Sequence, residues 1–400
     1  LVILNPKYQP LITNSTRYFI LTGGRGSAKS FAVGTFASAL SFEPNHKILY
    51  TRQTMTSAHL SIIPEIQEKI SLLEADQFFA VNKSEITNIS SGSEIYFRGI
   101  KTSSGDQTAN LKSLQGVTTW IVDEAEELVD EKTFDKINLS IRQKGVQNRV
   151  ILILNPATKE HWIYKRFFET AGIQPGFNGI SNNVTYIHTD YRDNIANLDE
   201  VFVSEVEQLQ FSNPAKYQHQ ILGGWLDKAE GVIFTNWVMG EFKEVAPPVY
   251  GQDFGFSIDP TTLVKTSIDK ANKTIYIKEL LYKPRLTTTE IYRENLLHCG
   301  EQALIYADSA EPRLIAELKK LGLNVRETVK GQGSITAGIA VLQDYKLVVE
   351  GVNIIRELNN YVWHDKKSAT PIDDYNHAID AIRYAIYSQL SKKKIDFAVR

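Results

Sequence analysis

Residues 23–30 read Gly23-Gly24-Arg25-Gly26-Ser27-Ala28-Lys29-Ser30, a run whose residue types and order suit the cradling of a polyphosphate. Glycines let successive backbone N–H groups curl around phosphate oxygens, and a helix beginning at Lys29 adds partial positive charge. The Lys29 ammonium would reach the β- and γ-phosphates of ATP, and the Ser30 hydroxyl would bind Mg²⁺. Ala28 replaces the glycine that usually precedes the lysine, a position that asks for a small residue. A bare strand-to-helix turn accounts for the glycines but not for the Lys29-Ser30 pair.

A second element follows the apolar run Trp120-Ile121-Val122, which ends in Asp123 and Glu124. In a phosphoryl-transfer site the first acid holds Mg²⁺ and the second activates water. The competing reading is an acidic first helical turn, since Glu126 and Glu127 continue the run. A third apolar run, residues 150–154, ends at Asn155-Pro156, where a polar side chain at a strand tip can sense a γ-phosphate; Asn-Pro alone also reads as a turn.

The second half offers a different chemistry. Asp253 and Asp308 each end a strand-like run, and Asp380 lies on a C-terminal helical pattern with His377 one turn earlier. Three carboxylates so placed suit a two-metal phosphodiesterase, in which one ion activates water and the other stabilises the leaving oxygen. Hard oxygen ligands favour two Mg²⁺ or Mn²⁺ ions over zinc. Any single aspartate also reads as a turn or cap residue.

The elements that must position these groups alternate. Strands are expected at residues 17–22, 47–51, 93–98, 118–122, 149–154 and 184–188, with helices at 29–40, 57–73, 131–141 and 160–169. This is the pattern of a mostly parallel sheet with crossover helices. Residues 226–249, broken by Gly231, Gly240 and Pro247-Pro248, read as a linker. The second half predicts strands at 250–254, 261–268, 274–282, 303–307 and 324–328, and helices at 287–298, 312–321, 334–343, 353–361 and 374–390. The expected domains are therefore residues 1–225 and 250–400.

Composition supports a two-domain globular chain. It has 400 residues, 42% hydrophobic and 22% charged, enough for two buried cores. The single cysteine, Cys299, excludes an intramolecular disulfide and a multi-cysteine zinc site, which suits a reducing cytoplasm. Net charge is −2, and residues 1–225 carry 21 basic against 23 acidic side chains, so any DNA site must come from local arrangement. No signal peptide or membrane span is expected. The absent initial Met suggests a trimmed or incomplete N-terminus, and Ser391–Lys394 reads as a solvated tail, with DNA contact the lesser reading.

The segments GGRGSAKS, WIVDEAEEL, LILNP, GGWLDKAEGVIF, QDFG, YADSAEP and NHAIDAIRYA occur in this order. Together they resemble the large terminase subunit of tailed bacteriophages, most closely the PBSX-like group. The resemblance implies an N-terminal P-loop ATPase of the ASCE type and a C-terminal RNase H-like α/β nuclease. Lys29, Ser30, Asp123 and Glu124 then take the ATPase roles, Asn155 sits in the coupling motif, and Gln9 contacts adenine. Asp253, Asp308 and Asp380 become nuclease metal ligands beside His377, and Lys330 a candidate phosphate contact. Arg25 and Arg142 compete for the arginine finger, with Arg142 expected to act in trans and Arg25 in cis. The implied activity is ATP-driven translocation of double-stranded DNA into a procapsid, with endonucleolytic cleavage of concatemers. The implied partners are double-stranded DNA, a small terminase subunit, the portal protein and further copies in a ring. They meet in the host bacterial cytoplasm and transiently at the portal vertex. A helicase–nuclease of DNA repair and a nucleotide-switched scaffold with an inactive nuclease fold are the rival readings.

Overall fold

The computed structural model describes residues 3–54, 62–102, 105–106, 115–229, 231–255, 257, 259–328, 333–364 and 370–390. The chain divides into two compact units, Leu1–Asp227 and Lys228–Arg400. Among the described residues no helix is long and apolar enough to cross a membrane.

The first unit contains β1 (Tyr18–Gly23), β2 (Lys47–Thr54), β3 (Phe79–Val81), β4 (Glu85–Asn88) and β5 (Glu94–Thr102). It continues with β6 (Gly105–Asp106), β7 (Thr119–Val122), β8 (Arg149–Leu154), β9 (Gly179–Ser181) and β10 (Val184–Thr189). Their order in one sheet is β3-β4-β5-β2-β7-β8-β1-β10-β9, with β6 paired to β5. The six strands from β5 to β10 along that order are mutually parallel, and antiparallel strands flank them. Every residue of β7 and β8 is buried, as continuous apolar strands covered on both faces must be.

Helices Lys29–Leu40 and Ile63–Leu72 pack against each other, and Glu131–Asn138 starts at an Asp130 cap that accepts the Lys132 and Thr133 N–H groups. Residues 57–61 of the expected helix lie outside the described residues. The expected helix at 160–169 is a single turn, Trp162–Tyr164, continued by a π-helical turn, Lys165–Glu169. The wider turn accompanies burial of the adjacent pair Phe167 and Phe168. Helix Glu200–Ser212 and the turns through Ile221 were not expected from sequence, because Val206 is the only fully buried side chain on that helix and the apolar period is faint.

The second unit holds β11 (Trp237–Met239), β12 (Val249–Asp253), β13 (Pro260–Asp269), β14 (Thr274–Pro284), β15 (Ile305–Ala307), β16 (Val325–Glu327) and β17 (Lys346–Glu350). The order is β11-β17-β14-β13-β12-β15-β16, an antiparallel β12–β14 meander extended by parallel strands on both sides. Residues 228–249, expected as a linker, belong to this unit: Ile233 and Phe234 are core residues and β11 pairs with β17. Glycine and proline hide the periodicity there without preventing a short edge strand.

Helix His377–Leu390 lies on β12 and β13. The close approach needs Gly251, where a Cβ would sit 1.8 Å from the Ala381 carbonyl oxygen. The helix starts at His377, not at residue 374 as expected, because Tyr375 adopts a φ of 57°.

Candidate active sites

Strand register gathers the first site. Thr22 pairs with Leu154 and Thr51 with Val122, so Gly23, Arg52, Asp123 and Asn155 emerge at one edge of the sheet. They meet at a cavity of about 1010 Å³ lined by Arg25, Lys29, Ser30, Arg52, Asp123, Glu124 and Asn155.

Lys29 is buried, and its Nζ donates to the carbonyls of Gly23 and Gly24 at 2.9 Å, to Ser27 Oγ at 3.1 Å and to Asn155 Oδ1 at 3.2 Å. Burial pulls its pKa down to about 8 against the opposing effect of Glu126 and Asp123. Ala28 has φ 63° and ψ 23°, a left-handed conformation that costs alanine about 1 kcal/mol and glycine little. Gly24 has a steric reason: a Cβ there would lie 1.8 Å from the Ile221 carbonyl oxygen, while the Arg25 N–H donates to the Gln220 carbonyl at 2.9 Å.

The Ser30 hydroxyl donates to Asp123 Oδ1 at 3.2 Å. This pair is placed to hold the Mg²⁺ of a bound nucleotide, and the serine and carboxylate oxygens suit that ion. Arg52, from the end of β2, donates from Nε to Asp123 Oδ2 and from Nη2 to Glu124 Oε1, both at 2.9 Å. Burial raises the Glu124 pKa, Arg52 opposes the rise, and Glu127 and Asp123 add to it. Burial also lifts the Glu126 carboxyl to about 7, opposed by its own N–H and by Asn155. Sequence reading missed Arg52, because only the β2–β7 pairing brings it to Asp123.

One expectation is corrected. Gln9 is exposed at the junction of two short helical turns and does not line the cavity, whereas its neighbour Tyr8 does. The Tyr8 hydroxyl lies 2.6 Å from the Ser27 carbonyl, to which it donates, and 2.7 Å from Thr189 Oγ1. Tyr8→Phe is expected to lower stability by about 1 kcal/mol and the first unit's melting temperature by roughly 2–4 °C. An unchanged melting curve would show that the loop does not depend on this bond. Arg142, exposed after helix Glu131–Asn138, lies at the opposite edge of the sheet from the phosphate loop. The carbonyl of its neighbour Ile141 accepts from Arg17, at the start of β1. Arg142 therefore stands away from the phosphates of its own subunit, which leaves the action in trans that was expected of it. Arg25 lies at the cavity, with its side chain exposed.

In the second unit Gln252 pairs with Ala307, which sets Asp253 and Asp308 side by side at the ends of β12 and β15. With Asp380 they line a cavity of about 520 Å³, together with Asp259, Ser334, Asp373, His377 and Arg383. His377 Nδ1 lies 3.4 Å from Asp253 Oδ2, and its Nε2 lies 3.7 Å from Asp259 Oδ1. The His377 pKa is raised: burial, the largest effect, lowers it, but Asp253, Glu357 and Asp259 together outweigh that.

Arg383, nearly buried, donates to Asp380 Oδ1 from Nη2 at 2.9 Å and from Nε at 3.2 Å. Among the described residues no three acids, histidines or cysteines are close enough to hold an ion as they stand. Like charges repel, Arg383 draws Asp380 toward itself, and His377 faces Asp253. The donor set nevertheless fits hard divalent cations. Sequence reading missed Glu357, which is fully buried, accepts the Ile379 N–H at 2.9 Å and anchors the start of the helix carrying Asp380. Lys330 and the 391–394 tail lie outside the described residues.

A P-loop sheet with β8 between the loop strand β1 and the acid-bearing β7, followed by an RNase H-like unit carrying three aspartates, defines a nucleotide-dependent protein that acts on nucleic acid. The chain belongs to the phage terminase large subunit family, the DNA-packaging proteins of phages. It matches the family model of that description over residues 15–224 and the terminase RNAseH-like domain over residues 253–388. It is 29% identical to the large terminase subunit of Bacillus phage SPP1, covering 94% of this chain and 92% of that one. It is 24% identical to the PBSX phage terminase large subunit of Bacillus subtilis (strain 168), covering 96% and 93%. The crystal structure of the HK97 bacteriophage large terminase shares the fold, with a TM-score of 0.51 and 11% identity over 97% of this chain and 95% of that one.

Proposed function

We propose that this chain is an ATP-driven motor that moves double-stranded DNA into a procapsid and cleaves concatemeric DNA with divalent metal. The observation that supports it is the convergence of Lys29, Ser30, Asp123, Glu124 and Asn155 from three segments on one cavity, with Asp253, Asp308 and Asp380 on another. Lys29 and the loop amides would bind the phosphates, Asp123 and Ser30 would hold Mg²⁺, and Glu124 would take the proton from attacking water. In the second unit, two Mg²⁺ or Mn²⁺ ions would supply activation of water and stabilisation of the leaving oxygen. The three aspartates would hold them, while His377 and Arg383 orient two of those carboxylates. The motor works as a ring at the portal protein, receives DNA from a small terminase subunit, and acts in the bacterial cytoplasm.

Packaging of blunt duplex into purified procapsids, with a strand-displacement control, tests the reading. Duplex uptake without unwinding is expected. Unwinding would point to a helicase–nuclease, and nucleotide binding without movement or cleavage to a scaffold.

Ring assembly gives Arg142 a route to the phosphates of a neighbouring copy. An arginine at the transition state accelerates phosphoryl transfer by about 10³–10⁵. Mixing Arg142→Ala with Lys29→Ala protein is expected to raise ATP hydrolysis at least roughly tenfold above either alone. Mixing Arg25→Ala with Lys29→Ala should restore none, because both lesions fall in one pocket. Equal rescue in the two mixtures would discard the assignment.

A further inference from the structure

Glu126 belongs to the acidic run after β7, yet the roles of metal ligand and general base are taken by Asp123 and Glu124. Its Oε1 accepts a hydrogen bond from Asn155 Nδ2 at 3.1 Å, and Asn155 Oδ1 accepts one from Lys29 Nζ at 3.2 Å. An ammonium only donates, so the asparagine must present its oxygen to Lys29 and its amide nitrogen to Glu126. The two segments are also tied by Trp162, whose Nε1 donates to the Leu128 carbonyl. Lys29, Glu126 and Asn155 all line the cavity.

We infer that Glu126 is a positioning residue that fixes the orientation of the Asn155 amide in the phosphate site. The inference rests on the nucleotide-binding reading of that cavity. Lys29 and Glu126 hold the amide from opposite ends. When phosphates engage Lys29 they compete for the ammonium that now holds the asparagine oxygen. Glu126 is then the contact that keeps the amide from turning. An amide nitrogen carries two hydrogens, so the bond to Glu126 leaves one for a phosphate oxygen. Glu126 thus acts through Asn155 and touches no reacting atom itself.

The test is steady-state ATP hydrolysis by the full chain, with thermal melting as the folding control. Glu126→Ala is expected to lower kcat at least roughly tenfold with KM for ATP changed less than about threefold. Glu126→Gln, whose amide oxygen can accept the same bond, should recover to within about threefold of the unaltered chain. Glu126→Asp keeps the charge but withdraws the oxygen by one methylene, and it should behave like the alanine variant; it replaces that variant should alanine unfold the protein. The double variant Glu126→Ala/Asn155→Ala should be no slower than Asn155→Ala alone, since the two side chains act as one unit. Full activity of Glu126→Asp, no rescue by Glu126→Gln, or additive losses in the double variant would each overturn the inference. Failure of the underlying reading looks different: the unaltered chain would then neither bind nor hydrolyse ATP.

Discussion

Asp308→Asn is expected to reduce metal-dependent nicking of plasmid DNA by at least about 10³ in Mg²⁺ or Mn²⁺, with the fold intact. The amide keeps the size of the carboxylate and can still accept the Ala310 N–H that Asp308 Oδ1 accepts at 2.8 Å. What it loses is the negative charge that a pair of divalent ions demands. Asp308 is a cleaner probe than Asp380. Neutralising Asp380 also strips the nearly buried Arg383 guanidinium of its ion pair, which alone can cost about 3–5 kcal/mol. Asp253→Asn disturbs His377 in the same way. Undiminished cleavage by folded Asp308→Asn protein would remove the second cavity from the chemistry.

Lys29→Ala is expected to cut ATP hydrolysis by about 10³ or more while plasmid nicking persists, because the three aspartates belong to the other unit. Stability gives this variant a second signature. Lys29 is a desolvated cation held chiefly by neutral carbonyls, so its removal should leave the melting temperature within a few degrees of the unaltered chain. Loss of ATPase at unchanged stability assigns Lys29 to phosphate binding; a collapse in stability would mark it as a structural group. Glu124→Gln should retain nucleotide and lose turnover, since the amide can still receive Arg52 but cannot take a proton. Loss of nicking in either variant would show that the two chemistries are not separable.

How much was legible follows from what each residue needs. Lys29 and Ser30 close the glycine-rich run that begins at Gly23, and Asp123, Glu124 and Asn155 follow strands β7 and β8, so local pattern placed them at strand tips. The parallel sheet was legible for the same reason: alternating apolar strands and helices admit few other packings. Gln9 was expected at the adenine from resemblance alone. Gln9 was displaced by a backbone path that turns Tyr8, not its neighbour, inward. Arg142, expected to act in trans, follows a helix that returns to the far edge of the sheet. Helix Glu200–Ser212 went unread because its apolar period is too faint to register.

The linear order of residues by itself determined which chemistries to look for, because a phosphate loop, a strand ending in two acids and three strand-end or helical aspartates are each local signals. Only the tertiary structure decided which groups share a cavity. Arg52 reaches Asp123 and Glu124 because β2 pairs with β7, and Asp253 stands beside Asp308 because β12 pairs with β15. Asp380 joins them because Gly251 lets a helix settle on the sheet, and Glu126 holds Asn155 because β7 and β8 are neighbours. Strand order and register are set by long-range packing, and a periodic pattern specifies which face of a strand is buried without naming its neighbour.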